Sequence, residues 1–112
     1  MASETDGGWC PVAATARLVG RKWHLVVVHR LLTRGALGFN DLDRAIDGIS
    51  SKVLSSTLDD LSEKGFVERR VVSEKPFRVE YDLTRRGESL RPVVAAVRAW
   101  GSEHLDPSGA HG

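Results

Sequence analysis

One cysteine, Cys10, stands in 112 residues. A single thiol excludes an intrachain disulfide framework and every cysteine-rich zinc motif, and it fits a reducing compartment, so a cytoplasmic location is expected. Long apolar runs are also missing. The longest, Leu25-Val26-Val27-Val28, falls far short of the roughly 20 residues of a membrane helix. Together with a polar, slightly acidic start from Met1 to Gly8, this predicts neither a secretion signal nor membrane attachment. No one sign of charge dominates: 16 Lys and Arg stand against 15 Asp and Glu, for a formal net charge of +1. Any nucleic-acid argument must therefore rest on where the charges sit. No repeat, linker-like stretch or charge block divides the chain, and its length suits one domain and excludes a second.

What is present fits a small globular domain: 41% hydrophobic and 28% charged residues, enough for one modest core. Residues 1–8 and 106–112, rich in Gly, Ser, Asp and Pro, are predicted to be disordered tails, leaving 9–105 as the folding unit. Within it, Pro11 reads as the first residue of a helix capped by Cys10, with Val12, Ala16 and Val19 at helical spacing and Gly20 as its stop. Trp23, Val26, Val27, Arg30 and Leu31 continue a 3.6-residue period from about Lys22 to Thr33, in a helix apolar enough all round to be central. A short third helix is predicted over Asn40–Ile46. A fourth is capped by Ser50, carries Val53, Leu54, Thr57, Leu58 and Leu61 on one stripe, and ends at Gly65. Phe66–Ser73 and Arg78–Leu83 read as a hairpin with Glu74-Lys75-Pro76-Phe77 at its tip. From Thr84 the pattern is helical again, with Leu90, Val93, Val94, Val97 and Trp100 on one face. Pro92 within it predicts a kink in one continuous helix.

The fold class is therefore mainly α with a small β-hairpin (α+β), in the order of a winged helix-turn-helix, whose second turn helix enters the DNA major groove. The outer stripe of the fourth helix reads Ser51, Lys52, Ser55, Ser56 and Asp59. Its hydroxyls can donate to or accept from base edges and phosphates, and Lys52 can meet a phosphate or guanine. With the cap Ser50, these form the candidate DNA-reading residues; Asp59 is expected to lie beyond the groove. The competing reading is an ordinary solvated helix face, or a face that contacts another protein. From Lys64 to Arg86, seven basic residues outnumber four acidic ones. Lys75 and Arg78 flank the tip, where a wing would meet the sugar-phosphate backbone. Arg17, Arg21, Lys22, Arg30 and Arg34 form a second basic stretch that helical spacing scatters around two helices.

The last helix carries more apolar residues than one buried stripe needs, since Ala95, Ala96 and Ala99 add to Val93, Val94, Val97 and Trp100. A symmetric dimer is expected, with Trp9, Val12, Leu90, Val93, Val94, Val97 and Trp100 at its interface; the alternative is that Trp9 and Trp100 complete the protomer core. At a helix N-terminus the Cys10 thiol feels the positive end of the dipole, which favours the thiolate. It is read either as a sensor of oxidants or electrophiles or as a small capping residue. Pairing it with His24 leaves no third orienting group or oxyanion motif, so no enzyme is predicted. His24 and His29 are five apart, off the i, i+4 spacing of two ligands on one helix face, and no metal or other cofactor is expected.

These residues resemble the HxlR-type winged-helix transcriptional regulators of bacteria and archaea. The likeness runs through Cys10-Pro11, Val19-Gly20, Lys22-Trp23, Phe39-Asn40-Asp41-Leu42 and Gly48-Ile49-Ser50-Ser51-Lys52-Val53-Leu54. It continues through Leu58, Leu61, Gly65-Phe66-Val67-Glu68-Arg69, Val79-Glu80-Tyr81, Leu83-Thr84 and Gly87 to Trp100-Gly101, spanning nearly all of the folding unit. The resemblance implies a DNA-binding homodimer joined through its first and last helices, with the fourth helix reading an inverted-repeat operator and repression as the expected outcome. Some relatives use the cysteine corresponding to Cys10 to sense quinones, aldehydes or hypochlorite-type oxidants. The sequence departs from the common pattern at His24 and Asp59, where other polar or basic residues are frequent.

Overall fold

A computed structural model describes residues 8–105 and Pro107; the remainder of both predicted tails lies outside the described residues. The elements are α1 (Pro11–Val19), α2 (Lys22–Arg34), α3 (Phe39–Ala45), α4 (Ser51–Glu63), β1 (Val67–Glu74), β2 (Phe77–Leu83), α5 (Arg85–Glu88) and α6 (Arg91–His104). The helix–helix–turn–helix order followed by an antiparallel hairpin is the winged helix expected from the sequence.

Helix α2 is the central post, packed by α1, α3, α4, α6 and β2. Its residues Val27, Val28 and Leu31 meet Leu42 and Ile46 at the α3 end and Leu54, Leu58 and Leu61 of α4 in a core of fully buried side chains. Phe66, Val67, Leu83, Leu90 and Val94 extend that core under the hairpin and α6. The Arg30 Nε donates to the Ala45 carbonyl at 3.0 Å, so one cation of the second basic stretch ties α2 to the end of α3.

The two helix ends that matter most for the site have clear causes. Ser50 accepts the Val53 N–H at 3.1 Å and starts α4. At the other end Gly65 adopts φ +82°, and the Phe66 and Gly65 amides donate to Leu61 (2.9 Å) and Ser62 (3.1 Å). That left-handed closure needs glycine, and it swings Phe66 back onto the core beside Leu61. Just beyond the hairpin, a Cβ on Gly87 would collide with the Phe66 carbonyl oxygen and come within 2.9 Å of the Leu83 side chain, so only glycine admits this close crossing.

Two expectations are corrected and one contact is added. Pro92 does not kink a continuous helix: α5 ends at Glu88, Leu90 is the N-cap residue of α6, and Pro92 falls in the first turn of α6. An N–H there has no intrahelical acceptor, so proline costs nothing at that position. The hairpin tip is two residues, Lys75 and Pro76, joined by a cis peptide bond. Its register slips between Val71 and Ser73, so Val72 is an extra residue on β1 without a partner on β2. Finally, Leu37 pairs with Tyr81, each amide donating to the other's carbonyl at 3.0 and 2.8 Å. This bridge ties the base of the hairpin to the α2–α3 loop.

Candidate nucleic-acid interface

The fourth helix presents two faces. Leu54, Thr57, Leu58 and Leu61 are buried, while Ser51, Lys52, Ser55, Ser56 and Asp59 are all exposed. Ser50 is exposed as well, but one of its lone pairs is committed to the Val53 amide, leaving its hydroxyl proton to donate outward. Ser56 donates its hydroxyl to the Val53 carbonyl at 3.2 Å and keeps acceptor capacity. Val53 is not part of the buried stripe: it is 37% exposed and adds an apolar group to the outward face, suited to a thymine methyl.

Lys75 and Arg78 are exposed at the hairpin tip. Between them Phe77, which the sequence reading passed over, is 63% exposed. Behind the tip an open cleft of about 460 Å³ runs to the start of α3, lined by Phe39, Asn40, Arg44, Phe77 and Arg78 among others. Arg70 is engaged within the hairpin, pairing with Asp82 at 2.8 Å and with Glu68 at 3.8 Å, and the segment's surplus of positive charge is left to its other cations.

The acidic residue that turns inward is Asp60, not the exposed Asp59. Its Oδ2 receives Lys64 Nζ at 2.6 Å, His24 Nε2 at 2.7 Å and Arg21 Nη1 at 3.6 Å. The hydrogen bonds from Lys64 and then His24 pull the Asp60 carboxyl from 3.8 down to about 2. His24, buried on α2, is thereby occupied in bracing the α2–α4 contact. Burial, then the nearby Arg30 and Arg98 charges, lower His29 from its ordinary value.

Cys10 is half-buried at the N-cap of α1, where its side chain makes no capping hydrogen bond. Of the residues expected at a dimer interface, Trp9, Val12, Val97 and Trp100 are exposed and Val93 is half-buried. Leu90 and Val94 are instead buried in the chain's own core, so neither presents a surface to a partner. No residue of α1 is buried.

Residues 18–109 match the family described as HxlR-like helix-turn-helix. The chain belongs to that family. It is 35% identical over 91 residues to the HTH-type transcriptional regulator YvaP of Bacillus subtilis, covering 81% of this chain and 83% of that one. Among solved structures, the reduced form of the transcriptional regulator YodB from B. subtilis superposes with a TM-score of 0.75 at 33% identity, covering 88% of this chain and 97% of that one. The redox regulator HypR in its oxidised form gives a TM-score of 0.79 at 33% identity, with 87% and 99% covered. This HxlR-type chain is thus a transcriptional regulator with redox-regulated relatives, and no described helix is long and apolar enough to cross a membrane.

Proposed function

We propose that this HxlR-type regulator acts in the cytoplasm as a homodimer on an inverted-repeat operator in double-stranded DNA, repressing where the operator overlaps a promoter. The observation that carries this reading is the outward face of α4, where Ser51, Lys52, Ser55 and Ser56 are all exposed on a helix anchored by buried leucines. Such a face enters a major groove about 12 Å wide without steric conflict, and its hydroxyls and ammonium match base-edge and phosphate chemistry. Lys75 and Arg78 contact the backbone from the wing, and Ser50 donates to the phosphate at the helix start. The test is the salt dependence of binding to DNA sites selected from a random pool. Lys52→Ala and Lys75→Ala should each flatten the slope of log K against log salt by about two, one contact for each protomer of the dimer. Binding that ignores salt would instead favour a protein-contacting role for this face.

A second reading concerns Cys10, and its support is the likeness to YodB and HypR together with a half-buried thiol free of side-chain capping. Oxidation or alkylation there would re-seat α1 and so alter the dimer. Operator affinity that falls on oxidant treatment in the parent but not in Cys10→Ser supports it; equal loss in both removes it.

A further inference from the structure

A second cleft, of about 750 Å³, opens at the C-terminal end of α4, the opposite end from Ser51 and Lys52. Four cationic side chains line it and no carboxylate does: Arg17 of α1, Arg21 of the α1–α2 turn, Lys64 at the end of α4, and Arg86 of α5. Asp60 draws on two of them, at 2.6 Å from Lys64 and 3.6 Å from Arg21, and shares its charge with His24. Arg17 and Arg86 have no ion-pair partner among the described residues. The positive charge of the cleft therefore exceeds what the protein neutralises.

The rest of the lining is apolar, chiefly Leu18 and Phe66. The Arg86 guanidinium lies over the Phe66 ring, 4.5 Å from its centroid, which holds its planar fork against an apolar floor. A guanidinium held in this way is suited to a bidentate carboxylate, and the volume falls within the ~300–1,000 Å³ typical of small-molecule sites. No side chain in the lining is an acceptor; all four polar ones are cationic donors.

We propose that this cleft binds a hydrophobic carboxylate, an aromatic ring bearing one carboxyl group, with the carboxylate between Arg17 and Arg86 and the ring against Ala14 and Leu18, Phe66 lying beneath the Arg86 guanidinium. Bound there, the ligand would join α1 to the junction of α4 and β1.

The full-length chain, free of DNA, is titrated with sodium 1-naphthoate and followed by calorimetry and by amide NMR shifts. Because no DNA is present, the outcome is independent of the operator reading. Saturable binding is expected, with shifts at residues 14–18, 64–66 and 86. Arg86→Gln and Arg17→Gln should each weaken it about tenfold, while Arg34→Gln, an exposed charge on α2 outside the cleft, leaves it unchanged. Arg17 is exposed on α1, so that variant tests the site even if Arg86→Gln folds poorly. The proposal is overturned by any of four results: no saturation, equal binding of the neutral 1-naphthamide, equal competition by inorganic phosphate at matched ionic strength, or shifts confined to residues outside this cleft.

Discussion

At the scale of single residues, Asp60 is the point where the protomer is most sensitive to charge. Folding holds its carboxyl near 2 rather than 3.8, so on acidification the unfolded chain takes up the proton first. The stabilisation is complete above the ordinary carboxyl range and is lost as pH falls through about 2. Asp60→Ala leaves the buried His24 ring without its acceptor and should cost about 1–2 kcal/mol near neutral pH. Its thermal midpoint should fall by several degrees at pH 7, and the difference from the parent should close toward pH 2. A constant difference across that range would detach the effect from the carboxylate. None of this was visible in the order of residues. The sequence distinguished the exposed face of α4, and so drew attention to Asp59, but His24 and Asp60 are 36 positions apart and no local period relates them.

At the scale of elements, periodicity identified every major helix and both strands: α2 and α4 each bury a regular stripe in the core, whereas α1, with no buried residue, was marked by Pro11 at its start and Gly20 at its stop. It failed where a boundary depends on where the chain must turn. Leu90, Val93, Val94 and Val97 share one helical phase whether or not the chain breaks before Arg91, so spacing could not separate α5 from α6. The position of Pro92 in the first turn of α6 has a measurable consequence. Pro92→Ala should leave stability unchanged or lower it by up to about 1 kcal/mol, through greater freedom of the unfolded chain. A proline kinking a helix interior would instead give a gain of about 3 kcal/mol on removal, and urea unfolding distinguishes the two. The slip at Val72 was hidden for a similar reason: Val71 and Val72 are both strand formers, and only the partner strand reveals that one of them is extra.

At the scale of the whole molecule, the surplus of apolar residues at the two ends of the chain was legible, whereas its division between core and surface was not. Leu90 and Val94 went inward, while Val12, Val97 and Trp100 stayed exposed at 74%, 47% and 59%. If those exposed residues form the dimer surface, Val97→Asp should raise the dimer dissociation constant at least ~100-fold, because it buries an unpaired charge, with little change in protomer unfolding. Sedimentation equilibrium checks this; a parent chain that is monomeric at micromolar concentration would remove the dimer. The Leu37–Tyr81 bridge then acquires a further meaning. By stapling the wing's root to the loop that leads into α3, it restrains the hairpin against the helices. In the proposed dimer, adaptation to operators of different pitch would then fall to pivoting of one copy against the other rather than to flexing of the wing.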